Sequence, residues 1–194
     1  MPYRFDKLRK PLLFNILQNT CQLVQNGRSM ATVLQLSKIL TSSPEVPAIP
    51  GVQLRHFAGP DDIAPWLRLR EAAFARQRIG VRQWTAEEFR AELLDKPWWS
   101  DERMWLAESV SLAGEPMLVG SVTWADRANP TEVRPAIHWL AVLPAWRRQG
   151  VGRLLMSALE ASCWEAGYRR IWLETHAAWN AAGEFYQRLG YEPV

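Results

Sequence analysis

One change of pattern constrains this chain more than any other. Ile137–Leu143 reads IHWLAVL, a nearly continuous apolar run closed by Pro144, which is how a mostly buried strand reads. From Val151 the apolar residues return at intervals of three and four: Val151, Leu154, Leu155, Ala158 and Leu159, with Ser162 on the same stripe and Gly167 as a stop. That is the stripe of an amphipathic helix. A buried strand followed so closely by a helix requires a domain in which the helix packs back on a sheet.

Between the two lies Arg147–Arg153, RRQGVGR. A helix start leaves backbone N–H groups without partners, and the helix dipole adds positive potential there. Gly150 and Gly152 let an anion approach that backbone, and Arg147, Arg148 and Arg153 add charge around it. The combination suits a pyrophosphate. A Gly-x-Gly before a helix is also a common way to turn a chain, and from the turn alone the two readings stand level. It is neither a dinucleotide fingerprint, which needs a third glycine, nor a nucleotide P-loop, which needs Gly-Lys-Ser/Thr.

Signals for strand and helix alternate over the rest of the chain. Val52–Phe57 alternates apolar and polar residues like a strand, and Asp61–Arg76 has helical spacing at Ile63, Trp66, Leu67 and Leu69. Thr85 with Glu88 three residues later is a capping box, so a second helix is expected to run from there to about Leu94. Met104–Ser109 and Met117–Trp124, around a turn at Gly114 and Glu115, form a hairpin. Arg170–Thr175, RIWLET, is a strand, and Ala181–Leu189 a helix closed by Gly190. The sum is a mixed α/β (α+β) domain with a mostly antiparallel front half and a strand–helix–strand crossover near its end.

Composition divides the chain near residue 50. Residues 1–50 carry net charge +4 and the remaining 144 carry −1; all eleven tryptophans lie in the second part. Thr41–Pro50, TSSPEVPAIP, is a Pro-rich linker. We therefore expect a basic extension and linker over 1–50 and the main domain over 51–194. Leu13, Ile16, Leu17 and Val24, then Val33, Leu36, Ile39 and Leu40, have the spacing of two short amphipathic helices. Met30 could begin a shorter chain.

A near-neutral main domain lacks the clustered cations that nucleic acid requires. The apolar runs fall well short of the roughly 20 residues of a membrane span, and no small-residue cleavage site follows Pro11–Val24. The basic, acid-poor N-terminus has a superficial likeness to an organelle transit peptide. Cys21 and Cys163 fit no metal or disulfide spacing, which suits a reduced cytoplasmic setting without a metal.

Residues 137–191 resemble the core of the GNAT superfamily of N-acetyltransferases. The matched blocks are LAVLP, then WRRQGVGRLLM, then WLET, then AAGEFYQRLGY, in the family's order and spacing. The resemblance implies a mostly antiparallel sheet flanked by helices, with a splayed central strand pair, and acetyl-coenzyme A as co-substrate. It places Arg147, Arg148, Gln149, Gly150, Val151, Gly152 and Arg153 around the pyrophosphate. The backbone of Leu140, Ala141 and Val142 would hold the acetyl carbonyl and pantetheine arm, exposed by a bulge. Tyr186 matches the family's general acid toward the departing thiolate.

Transfer to a primary amine of a small molecule or peptide requires removal of a proton, because an alkyl ammonium has a reference pKa of about 10.4. Glu174 matches a position where peptide acetyltransferases of the family carry their base; a solvated strand-end acid is the plain alternative. His138 is the rival, sharing a face with Leu140 if the strand is regular, though a lone histidine in an apolar strand is more often a core residue. His176 and His56 have weaker claims. Tyr186 could equally supply packing; its place in the matched block favours the acid role.

The chain departs from the family twice. Seven residues before Tyr186, where many members have an asparagine for the pantetheine, stands Trp179, with Asn180 one residue on. Either Asn180 serves or Trp179 packs on the coenzyme. The chain also ends at Val194, where most members continue into one more strand; the sheet lacks that edge or an N-terminal piece covers it. Trp84, Trp98, Trp99 and Glu102 could line an acceptor pocket for a cationic or aromatic amine, or simply fill space in a Trp-rich chain. A homodimer is allowed for. The competing functions are a coenzyme-binding module with a degenerate site and a nucleotide-phosphate binder.

Overall fold

Antiparallel strands can be joined by short turns, whereas a parallel pair needs a crossover, and this chain uses both. The computed structural model describes residues 33–75, 82–111, 113–128 and 133–194. Strand β1 spans Val33–Ile39 and β2 Val52–His56; a short 3-10 turn leads into helix α1, Ile63–Phe74. Helix α2, Ala86–Phe89, continues as a wider turn through Leu94. Strands β3 (Met104–Val110), β4 (Pro116–Ala128) and β5 (Val133–Val142) follow as an antiparallel meander. Helix α3 (Val151–Glu165), strand β6 (Arg170–His176), helix α4 (Asn180–Arg188) and the two-residue strand β7 (Glu192–Pro193) complete the chain. The strand order in the sheet is β2-β3-β4-β5-β6-β1-β7.

The sheet separates two cores. Alternation along β3 sends Met104 and Leu106 to one face, with Phe57, Trp66, Phe89 and Leu93. Ala107 and partly buried Trp105 go to the other, against Leu155, Leu159 and Cys163 of α3. The second helix starts as its sequence requires. Thr85 Oγ1 accepts from Glu88 N at 3.3 Å and Glu88 Oε2 accepts from Thr85 N at 2.8 Å.

The region before residue 50 corrects one expectation. Val33–Ile39 is a strand rather than a helix, paired antiparallel with β6 over its whole length from Val33↔His176 to Ile39↔Arg170. It therefore belongs to the sheet. The spacing of Val33, Leu36 and Ile39 suits a helix, but β6 presents an edge of unpaired backbone groups, and a tertiary partner overrides so weak a local preference. The strand's own alternation then sends Leu36 into the core, followed by Leu40 just past its end, both nearly fully buried. Lys38, on the same face, donates to the buried carboxylate of Glu160 at 2.7 Å, which also accepts from Tyr191 Oη at 3.0 Å. So β1 covers the edge of β6, and β7 pairs on its far side through Leu36↔Pro193 and Ser37↔Glu192. The linker that follows has only an isolated bridge, Ile49↔Val52. The helix expected upstream, around Leu13–Val24, lies outside the described residues.

The two central strands diverge. β5 and β6 are parallel and share the single register pair Ala136↔Trp172. Beyond it β5 continues to Val142 without a ladder to β6, which opens a cleft between the strands' C-terminal ends.

Candidate active site

The cleft is shaped first by a bulge in β5. Ser121 pairs with Ala141 and Thr123 with His138, so Trp139 and Leu140 together oppose Val122. Two residues against one is a β-bulge, and Trp139 accordingly takes φ +53°. Tertiary packing holds an indole in a backbone region that side chains disfavour. Leu140, in the bulge, and Val142, at the strand's end, are half-buried, while Ala141 between them is buried.

The strand runs through a 3-10 turn, Pro144–Trp146, into the RRQGVGR segment. Arg148 has φ +63°, and Gly150, at φ +88°, is the helix N-cap. The first intrahelical bond beyond it is Leu154 N to Gly150 O at 2.9 Å. The N–H groups of Val151, Gly152 and Arg153 thus precede any helical acceptor, and the helix end forms a donor-rich cradle.

The two glycines have different reasons. Gly150 needs its left-handed backbone, and a Cβ there would also sit 3.2 Å from Ile49 Cδ1. Gly152 lacks a side chain because Phe185 of α4 occupies that space, 3.2 Å from where a Cβ would stand. The second glycine therefore serves helix packing. The arginines divide as well. Arg147 folds back, Nε donating to Val142 O at 3.2 Å and Nη2 to Ala73 O at 2.5 Å, so it ties the turn to β5 and α1. Arg148 and Arg153 are exposed on the turn, as is Gln149, whose amide donates to Ala145 O at 2.6 Å.

Helix α4 places Tyr186 in the core beside Tyr191 and Phe185, with ring centroids 5.9 and 5.4 Å away. Burial pushes its phenol well above the ordinary value, so it keeps its proton at neutral pH. Glu174 is firmly held. Arg127 of β4 reaches across β5 to both its oxygens, at 2.5 and 2.9 Å, and Gln35 of β1 donates to Oε1 at 3.1 Å.

His138 is half-buried between the rings of Trp98 and Trp139, at 6.1 and 5.6 Å. Desolvation, then the charges of Arg127 and Lys96, push its imidazole down to about 3. It is neutral near pH 7 and a weak base. His176 Nδ1 accepts from Ala178 N at 3.0 Å, and the His56 ring lies against that of Trp105, tilted by 38° with centroids 3.7 Å apart. Asn180, the first residue of α4, is exposed; Trp179 before it is half-buried and stacks on Phe74 at 6.0 Å and 28°.

The tryptophans expected around an acceptor pocket separate. Trp84 packs against Trp66 and Trp139 at 5.8 and 5.1 Å and Trp98 faces His138, whereas Trp99 joins the core with Phe57 and Phe89. Glu102 is exposed. Sequence reading missed Arg70, Phe74 and Trp139, which with Trp84 and Trp179 surround the bulge. Arg70 carried a signal, since it continues the apolar stripe of α1 four residues after Trp66 and three before Ala73. Among the described residues there is no group of three or more His, Cys, Asp or Glu side chains that could hold a metal. Among them also no helix is long and apolar enough to cross a membrane.

A splayed parallel pair, a bulge on one of its strands and a glycine-opened helix start define an acyltransferase-type scaffold, and comparison with known proteins agrees. The chain belongs to the Acetyltransferase (GNAT) family, whose pattern matches residues 66–191. It is 29% identical over 168 residues to the mycothiol acetyltransferase of Mycolicibacterium paratuberculosis, covering 82% of this chain and 52% of that protein. With the mycothiol acetyltransferase of Mycobacterium marinum the identity is 31% over 173 residues, covering 82% and 53%. The chain thus spans about half the length of these relatives. Among solved structures, the fold is similar to a GCN5-related N-acetyltransferase from Sphaerobacter thermophilus, with a TM-score of 0.65 at 19% identity over 84% of this chain and 48% of that one. It is also similar to Arabidopsis thaliana Naa50 in complex with the bisubstrate analogue CoA-Ac-MVNAL, with a TM-score of 0.54 at 18% identity over 73% and 83%.

Proposed function

We propose that the chain is an N-acetyltransferase that moves an acetyl group from acetyl-coenzyme A to a primary amine by direct attack. The observation that carries this is the pairing of the β5 bulge with the open helix start, set at consecutive points along one cleft. The N–H groups of Val151, Gly152 and Arg153 would take the pyrophosphate, with Arg148 and Arg153 supplying outer charge and Arg147 holding the turn in place. The backbone of Leu140–Val142 would bind the pantetheine arm and polarise the thioester carbonyl. The relatives named mycothiol acetyltransferases support acetyl as the group transferred.

In the reaction the amine nitrogen bonds to the acetyl carbon, the carbon–sulfur bond breaks, and two protons move. We assign the amine's proton to Glu174, directly or through water. Its place at the end of β6 matches the base position that the family resemblance implies, whereas desolvation leaves His138 a weak base. Tyr186 donates to the leaving sulfur. Its burial keeps the phenol protonated and lets its hydrogen bond strengthen as charge develops on sulfur. Asn180 or Trp179 completes the pantetheine side. The same reading places the protein in the cytoplasm, with the buried Cys163 a free thiol pushed up to about 12 by burial.

The test is to mix protein with acetyl-coenzyme A and a panel of amines and follow free thiol. Turnover supports the reading. Coenzyme binding with no turnover across the panel would favour a binding module instead, and competition by ATP but not coenzyme A would overturn both.

A further inference from the structure

Arg70 is nearly fully buried, 3% exposed, on the face of α1 that looks toward β5. Its guanidinium lies 4.4 Å from the ring of Trp84 and 4.4 Å from that of Trp139, two indoles that meet edge to face at 76°. Nη1 donates to the carbonyl of Arg82 at 2.8 Å. Nε is sealed from solvent and has no acceptor among the described residues. No carboxylate among those residues pairs with this cation; the one charge acting on it is that of Arg82, which repels it. Burial and Arg82 together push the group down to about 10, which expresses how poorly the charge is compensated.

A second observation points the same way. Trp139 Nε1 and Trp179 Nε1 are also buried donors without acceptors. Phe74 links these two indoles, at 6.1 Å from Trp139 and 6.0 Å from Trp179. These two N–H groups and Arg70 Nε thus belong to one run of contacting side chains beside the bulge, among half-buried aromatic rings. A buried cation without a counter-charge is costly, and a leucine or methionine would fill the same stripe of α1 without that cost. Donors without acceptors, around an unpaired cation, make a receptor for an anion.

Resting on the acetyltransfer reading, we propose that Arg70 is a specificity-determining residue that binds a carboxylate of the acceptor, so that the substrates are amines carrying a carboxylate. With Nη1 engaged by Arg82, the remaining Nε–Nη2 edge is the fork that meets a planar carboxylate side by side. An ammonium-bearing acceptor with no acid would gain nothing from this site.

The experiment compares amino acids with their carboxamides as acceptors, for the full chain and for Arg70→Gln and Arg70→Lys. The expected result is that the full chain favours the acid over its amide by about 10–100-fold in kcat/KM. Arg70→Gln lowers the acid-over-amide ratio in kcat/KM, chiefly by raising KM for the acids, and Arg70→Lys restores part of it. Equal activity on acids and amides in the full chain, or equal loss on both in Arg70→Gln with unchanged melting temperature, would overturn the proposal. Ligand-observed NMR on the unsubstituted protein gives a readout that needs neither turnover nor a variant that folds. N-acetyl amino acids should bind and be displaced by one another, while N-acetyl amino-acid amides should not. Binding of acids without any acetyl transfer would keep the anion site and sink the acetyltransfer reading, and thiol release with neutral amines alone would do the reverse.

Discussion

The side of the cleft that carries the turn and the side that carries Arg70 differ in how the chain makes them. The first is contiguous: β5, the RRQGVGR turn, α3, β6 and α4 occupy residues 133–188 without interruption. The second gathers α1, the segment before α2, the bulge of β5 and the start of α4, which only the sheet brings together. Its polar groups differ as well. On the turn side Arg147 and Gln149 donate to carbonyls of nearby backbone. On the other side Arg70 lies over the rings of Trp84 and Trp139, and its Nε and the Nε1 atoms of Trp139 and Trp179 lack acceptors among the described residues. A helix start tolerates open N–H groups because an anion or water can reach them. Buried indole and guanidinium groups have no such recourse, and that contrast is the ground for proposing that the acceptor completes the second side.

Four substitutions would sharpen or break this comparison. The largest effect is expected at Tyr186, where removing the hydroxyl but not the ring, Tyr186→Phe, should lower kcat by about 10²-fold or more with little change in KM for the coenzyme. A variant of undiminished kcat would remove Tyr186 from the chemistry and leave it as packing. Next is Lys38→Met, which takes the cation from Glu160, a buried carboxylate only 3% exposed. A loss of about 2–3 kcal/mol in urea unfolding is expected, with no change in the affinity of the turn for coenzyme A. Equal stability would mean that β1 is not held to the domain by this contact.

Gly150→Ala comes third. The left-handed backbone and the contact with Ile49 should cost about 1–2 kcal/mol and weaken coenzyme binding seen by calorimetry. Unaltered binding would mean that the helix start is not the pyrophosphate site. The smallest effect concerns pH. The folded protein holds His138 down at about 3, below its unfolded value near 6.5, so the unfolded chain binds the extra proton between those limits. Its contribution is therefore fully present above about pH 6.5 and is lost as pH falls toward 3. His138→Gln should flatten the fall in stability across that window by on the order of 1–2 kcal/mol, because the ring is only partly shielded from water. An unchanged slope would remove histidine from the acid sensitivity of the fold.

Most of the turn side was legible in the chain. Val151, Leu154, Leu155 and Leu159 repeat at the helical period because α3 has one partner, the sheet, and Gly150 announces its start by a backbone that other residues avoid. The capping box at Thr85 and Glu88 was legible for the same local reason. What failed was the reading of Val33–Ile39, whose apolar spacing suits a helix and whose strand state depends on an edge over 130 residues away. The packing of Phe185, a residue of another helix, against Gly152 had no local sign either. The clamp of Arg127 on Glu174 across β5 had no local sign at all.

The sequence by itself determined the periodicities, the caps and the strand–turn–helix around Gly150, since each depends on residues within one or two turns of chain. Tertiary structure alone decided that a strand from before the linker completes the sheet. It also decided that Trp139 enters a bulge with φ +53° and that Arg70 meets Trp84 and Trp139 without a counter-ion. Those features follow from which surfaces are left to bury once the local elements exist, and burial is a property of the assembled layers that no stretch of sequence carries alone.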